Sequence, residues 1–186
     1  MENIKYLVLL RGINVGGNNI IKMEELKKVF EELKFTGVKT YIQSGNVIFY
    51  DHETNKTILK EKIEKTLFKK LQNQVNIVIL TLSEIKEIIN KKPKDFGENN
   101  ENKYDVIYLI EPLKVKDAIK EIRTRDGVDK LYEGKKVLYI SRPIKDLTKS
   151  YFSKILETPI YKNITIRNWN TTIKLYELMK MATPSA

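Results

Sequence analysis

The segment Ile4–Leu10 is apolar on both alternations: Ile4, Tyr6, Val8 and Leu10 on one side, Leu7 and Leu9 on the other. Successive strand residues point to opposite faces, so this strand cannot leave either face in water. It belongs in a sheet that is covered on both sides. The elements that follow narrow the choice. Met23–Lys34 is expected as a helix with Met23, Leu26, Phe30 and Leu33 on one stripe, and Gly37 as its stop. Lys39–Gln43 and Asn46–Tyr50 read as two strands around the turn Ser44-Gly45. Lys56–Leu71 repeats the helical spacing with Leu59, Ile63, Leu67 and Leu71, and Asn76–Leu80 is a fourth strand. The order β-α-β-β-α-β is that of the ferredoxin-like plait.

A further helix, Leu82–Lys91, trails this unit. Thr81 and Glu84 have capping-box spacing, Leu80 and Ile85 suit a hydrophobic staple, and Pro93 ends the run. The polar stretch 93–103, with a proline, a glycine and several asparagines, is the expected linker. The pattern then recurs. Asp105–Ile110 is a strand and Val115–Arg123 a helix. Asp129–Tyr132 and Lys136–Ser141 form a hairpin around Glu133-Gly134. Thr148–Leu156 is a helix, Asn163–Ile166 a strand and Thr171–Met181 a last helix. The expected fold is therefore α+β: two tandem ferredoxin-like (βαββαβ) plaits with mostly antiparallel sheets and extra helices. The domains are 1–92 with its trailing helix and 104–186 with its final helix. The second domain is the expected cover for the first sheet.

Hydrophobic content of 41% over 186 residues supports a packed core rather than disorder. The chain has no cysteine, which rules out disulfides, thiolate nucleophiles and cysteine metal sites. It begins without the basic, apolar and small-residue regions of a signal peptide and holds no apolar run of membrane-spanning length. These features point to the cytoplasm and away from a membrane. The net charge of +10 raises nucleic acid as a partner. Its lysines, however, are spread over every expected helix, as a solvated surface would have them. The five arginines, Arg11, Arg123, Arg125, Arg142 and Arg167, stand out against that lysine bias as candidate positions for a planar, bidentate donor, serving either a ligand or a structural tie to carbonyls or a carboxylate.

The sequence concentrates its candidate chemistry in one place. The first strand runs into Arg11-Gly12-Ile13-Asn14-Val15-Gly16-Gly17-Asn18, a long connection for a strand-to-helix loop. In the plait's strand order 4-1-3-2, strands one and two are parallel and joined by a right-handed crossover. The loop and the Gln43-Ser44-Gly45-Asn46 turn then lie at the same end of the sheet. That end would gather Arg11, Gly12, Asn14, Gly16, Gly17 and Asn18 with Gln43, Ser44, Gly45 and Asn46, a set suited to an anion or a polar planar group. The alternative is structural: glycines that permit left-handed turns and asparagines that satisfy the loop's own backbone. Neither the dinucleotide fingerprint nor a P-loop ending is present, and no cofactor is implied.

A second candidate group is Arg167, Asn168, Trp169 and Asn170. The indole could stack on a base beside Arg167, or it could anchor the last helix with Asn170 as N-cap. His52, the single histidine, has no partner for metal binding or nucleophilic catalysis, and no metal site is expected. Tyr6, Phe49 and Tyr50 could be exposed for RNA on the central strands, but a covered sheet would bury them. In the basic segment Lys145–Lys154, Tyr151 and Phe152 read as core and the lysines as a solvated face.

The blocks Leu10-Arg11-Gly12-Ile13-Asn14-Val15-Gly16-Gly17, Met23-x-x-Leu26 and Thr40–Phe49 resemble a family of bacterial proteins catalogued as domain of unknown function 1697. So do Ser153-Lys154-Ile155-Leu156 and Arg167-Asn168-Trp169-Asn170-Thr171 with Lys174-Leu175. Arg142–Asp146 stands where that family's pattern carries a glycine. The resemblance implies an α+β protein of ferredoxin-like units and names no activity, substrate or catalytic residue. The leading expectation is a cytoplasmic binding protein for a small anionic or polar ligand, such as a nucleotide or nucleic-acid phosphate, at the end of the first sheet. The alternatives are an enzyme using Arg11 to stabilise an oxyanion and a structural or protein-interaction module.

Overall fold

A computed structural model describes residues 3–14 and 20–181 of the chain. It is an α+β protein that divides into two compact units, Met1–Ile85 with Leu175–Ala186, and Lys86–Lys174.

The first unit holds β1 (Ile4–Leu10), α1 (Met23–Glu32), β2 (Thr36–Tyr41), β3 (Asn46–Asp51), α2 (Lys56–Leu71) and β4 (Ile77–Thr81), and the start of α3 (Leu82–Asn90). Its sheet order is β2-β3-β1-β4, with every neighbouring pair antiparallel. Tyr6, Val8 and Leu10 of β1 join Val47 and Phe49 of β3 in a core with Leu26, Val29 and Phe30 of α1 and Leu59, Ile63 and Leu67 of α2. Leu7 and Leu9, on the opposite face, are also fully buried. Both faces of β1 are thus dry, as its unalternating composition requires. Tyr6 and Phe49, whose rings lie 5.6 Å apart, are core residues, so they offer no stacking platform to RNA.

Two features of this unit differ from the sequence expectation. β2 begins at Thr36 rather than Lys39, because Gly37 does not stop the chain but bulges it between Thr36 and Lys39. Gly37 sits at φ +57, and a Cβ there would come within 2.8 Å of the Tyr50 ring. The turn is also longer than two residues. Tyr41 pairs with Asn46, and Ile42 and Gly45 both take left-handed backbone angles, φ 46 and 74.

The second unit holds β5 (Asn102–Leu109), α4 (Val115–Glu121), β6 (Lys130–Glu133), β7 (Val137–Pro143), β8 (Ile164–Asn168) and the start of α5 (Trp169–Lys180). Its order, β6-β7-β5-β8, repeats that of the first sheet, again with antiparallel neighbours. One face carries Ile107, Leu138 and Ile140 against Ala118, Ile122, Phe152, Ile155 and Ile160. The expected helix Thr148–Leu156 is absent. Three 3-10 turns, 144–149, 152–157 and 159–163, stand there instead. Pro143 and Pro159 bracket the stretch, and Ser150 is extended between the first two turns because Asp129 holds it by its hydroxyl.

The polar stretch 93–103 contains a buried residue. Phe96 packs edge-on against Tyr104, Tyr139 and Trp169, with ring centroids 4.8, 5.4 and 5.3 Å away. Gly97 follows at φ +82, pressed so close to the indole that a Cβ would lie 2.1 Å from Trp169 Nε1.

Candidate functional site

The end of the first sheet is assembled by backbone pairing. Leu10 N donates to Gly45 O at 2.8 Å, and Arg11 N donates to Asn76 O at 2.9 Å. The loop after β1, the β2–β3 connection and the segment before β4 therefore meet. Asn14 fastens the first two. Its side-chain amide donates to Ile21 O at 3.0 Å and to Gln43 O at 3.1 Å, while its carbonyl oxygen accepts from Ile21 N at 2.9 Å. Asn14 itself is left-handed, φ 54, a conformation asparagine tolerates better than most residues. Asn46 performs a similar task within the turn: it is fully buried, and its Nδ2 donates to Tyr41 O at 2.9 Å and Ser44 Oγ at 3.0 Å.

The glycines have separate roles. Gly45 has no room for a side chain, since a Cβ would lie 2.7 Å from Ile13 Cδ1 and 2.9 Å from Leu10 Cβ. Gly12 has φ +66 but open space around it, so only its backbone angle favours glycine. Arg11 and Ser44 are half-buried and Gln43 is exposed. Gly16, Gly17 and Asn18 lie outside the described residues.

The segment 72–76 was not among the residues expected from sequence. Gln72, Asn73 and Gln74 are exposed there, and Gln74 Nε2 donates to Asn76 Oδ1 at 3.3 Å. The signal for it was present in the strand order: β4 runs antiparallel to β1, so the start of β4 must lie beside the end of β1. Segments 10–14, 41–46 and 72–76 together carry seven asparagine and glutamine residues, no carboxylate, and Arg11 as their one charged residue. The chain as a whole is 31% charged, so these three segments are unusually rich in neutral amides, while the half-buried Glu64 of α2 accepts from Ile77 N at 3.0 Å at the start of β4 beside them.

The second candidate group is mostly internal. Arg167 is buried, donating to Thr165 Oγ1 at 2.8 Å and Ile166 O at 2.9 Å. Burial lowers its guanidinium to about 10, still cationic at neutral pH. Trp169 is buried against Phe96 and Gly97. Asn168, rather than Asn170, caps the last helix: its Oδ1 accepts from Asn170 N at 3.0 Å while its Nδ2 donates to Tyr104 O at 3.1 Å. The helix starts two residues earlier than its apolar spacing implies, which moves the cap with it. Asn170 is exposed.

A buried ion pair was missed in the sequence. Arg142 of β7 donates to Asp105 of β5, with its guanidinium 4.7 Å from the Phe152 ring centre, and both residues are buried. Burial pushes the Asp105 carboxyl up, and the charges of Arg142 and Lys103 only partly pull it back. An aspartate at the edge of the apolar run Val106–Ile110 and an arginine in a lysine-biased chain were the available signals. His52 is exposed. Among the described residues, no group of three or more His, Cys, Asp or Glu could hold a metal, and no helix is long and apolar enough to cross a membrane.

Comparison with known proteins matches this geometry to a fold and a family. A solved structure, that of the conserved bacterial protein SP0830 from Streptococcus pneumoniae, is 28% identical in sequence. It superposes with a TM-score of 0.80, covering 96% of this chain and 100% of that one. A comparison with curated proteins finds no match. A family model described as protein of unknown function (DUF1697) matches residues 4–139, and the chain belongs to that family.

Proposed function

We propose that the polar end of the first sheet binds a small anionic or polar ligand, a nucleotide or other phosphate-bearing molecule. Arg11 is its charge contact, and Gln43 and Ser44 are hydrogen-bonding neighbours. The observation that carries the reading is that backbone hydrogen bonds bring together three segments holding seven neutral amide residues and the half-buried Arg11. A guanidinium there presents a planar fork of donors to phosphate or carboxylate oxygens, and neutral amides add donors and acceptors that carry no charge of their own. In this reading Asn14, Gly45 and Asn46 are the frame, and Gly12 gives the loop its turn. Gly16, Gly17 and Asn18 extend the same candidate loop.

A second reading has its own observation. The Asn14 and Asn46 side chains are engaged with backbone and with Ser44, which is what a loop lock would require. A thermal-shift screen of wild type and Arg11→Ala against nucleotides and phosphorylated metabolites separates the two. A ligand present at a hundred times its dissociation constant stabilises the folded state by about 2.7 kcal/mol. The binding reading requires a rise in melting temperature that a folded Arg11→Ala protein loses. A folded mutant that keeps the full rise refutes it. Early melting of the mutant, with no ligand effect in either protein, supports the lock.

We further read the two sheets as tandem ferredoxin-like units, with 1–92 and 104–186 as domains joined through 93–103. The shared strand order supports this reading. A cysteine-free chain also suits the reducing cytoplasm.

A further inference from the structure

Asp129 is a buried carboxylate that sets the geometry of an exposed surface. It accepts from Arg125 N at 2.8 Å, from Tyr151 N at 2.9 Å and from the Ser150 hydroxyl. One buried anion therefore fixes the backbone under an arginine and under an aromatic residue that are 26 positions apart in sequence. Arg125 and Tyr151 are in turn exposed, Tyr151 by 38%. The Arg125 guanidinium lies 5.6 Å from the tyrosine ring centre and the Lys154 ammonium 4.4 Å from it. Arg125 Nη1 also donates to Lys149 O at 3.3 Å. Lys149 Nζ donates to Asp146 at 2.8 Å. That hydrogen bond, with the charges of Lys149, Lys145 and Arg125 adding to it, holds the Asp146 carboxyl below its ordinary value, and Lys145 is exposed next to Asp146 in the chain. Two cations, Arg125 and Lys154, thus face one exposed aromatic ring, Lys149 is tied to Arg125 through its carbonyl, and Asp129 and Asp146 are the acidic groups in contact with this cluster.

This is not how the segment looks in sequence. As a helix, 148–156 would have turned Tyr151 and Phe152 toward a core and spread its lysines over water. The 3-10 turns send only Phe152 inward.

We propose that this face, Arg125 and Lys154 at Tyr151 with Lys149 and Lys145 on the adjoining turn, binds single-stranded nucleic acid. Phosphates need mobile or forked cations spaced along a strand, and any base can stack on a tyrosine ring. On binding, the flexible Lys154 ammonium leaves the ring for a phosphate and yields the ring face to a base. An exposed ring flanked by cations favours a single strand, whose unpaired bases are free to stack. The proposal is independent of the ligand site at the first sheet.

The test is fluorescence anisotropy of a labelled oligouridylate 15-mer with the full chain between 50 and 200 mM salt. Four neutralised phosphates give roughly fiftyfold weaker binding across that range, from a slope of about −0.7 per phosphate. Arg125→Gln with Lys149→Gln should flatten the slope by about 1.4. Tyr151→Ala should weaken binding about fivefold or more, while Tyr151→Phe retains it. Lys65→Gln with Lys69→Gln removes the same charge from exposed positions of α2 and should leave affinity nearly unchanged. Circular dichroism confirms that each variant is folded. No binding at 50 mM salt overturns the proposal, as does equal weakening by the α2 pair. Binding to vesicles of anionic phospholipid with none to the oligonucleotide overturns it in favour of a membrane surface.

Discussion

Replacing Asn14 with alanine removes three hydrogen bonds and introduces a backbone misfit in one step. The two bonds to Ile21, at 3.0 and 2.9 Å, are partly buried, and the bond to Gln43 O, at 3.1 Å, is exposed. A partly buried intramolecular hydrogen bond contributes about 1 kcal/mol net, and an exposed one less, because water replaces it. The residue's φ of 54 adds a cost. Alanine in a left-handed conformation crowds its Cβ against the following carbonyl for about 1 kcal/mol, with no polar side chain to compensate. The total is about 2–4 kcal/mol. For a chain of this length that lowers the melting temperature by roughly 5–15 °C. Asn14→Gly loses the same bonds without the Cβ clash, though its freer unfolded chain returns part of the gain. It should melt above Asn14→Ala. Thermal melts followed by circular dichroism give the ranking, and amide hydrogen exchange at Ile21 gives the local cause, since its N–H would lose its acceptor. An Asn14→Ala protein that melts within about 1 °C of wild type, with Ile21 still protected, refutes the clasp.

Gly97→Ala forces a Cβ to 2.1 Å from Trp169 Nε1 at a φ of +82, so the indole must move. As Trp169 is the single tryptophan, its emission should shift to the red in the native state, and an unchanged spectrum would mean the packing is wrong. Asp105→Ala leaves the Arg142 charge buried and uncompensated, and should cost about 3–5 kcal/mol in urea unfolding. Asp105→Leu combined with Arg142→Met should recover most of that loss, because the apolar pair needs no desolvation of charge. Burial pushes the Glu84 carboxyl up, but hydrogen bonds from Lys56 and the Thr81 amide outweigh it, and the net value lies below the usual 4.5. Its contribution to stability is therefore present above the unfolded value and is lost as pH falls through the lower folded one. The stability gap between wild type and Glu84→Gln should be full at pH 7 and shrink as pH falls below the usual 4.5. A gap that stays constant with pH would remove Glu84 from the acid response.

Local periodicity determined much of this protein. Lys56–Leu71 is a helix over the same bounds that its leucine and isoleucine spacing indicates, and Ile4–Leu10 is a strand over the same bounds that its apolar run indicates. The burial of both faces of β1 follows from composition alone, because no alternation leaves either face polar. The meeting of the first loop with the β2–β3 turn was also legible. Strand direction decides which loops share an end, and the order of elements implies strand direction.

Tertiary structure decided what depends on partners distant in sequence. The 3-10 turns replace an expected helix because Asp129, more than twenty residues upstream, takes the Ser150 hydroxyl and the Tyr151 amide. No helical spacing encodes that contact. The same anchor turned Tyr151 outward, where composition would have buried it. Asn14 and Asn46 are identical in sequence terms to any polar loop residue. Only the placement of Ile21, Gln43 and Tyr41 gives their amides three carbonyls to hold. Sequence periodicity records how much of a residue must leave water, whereas a hydrogen bond between segments depends on angles and distances that exist only after the sheets have closed.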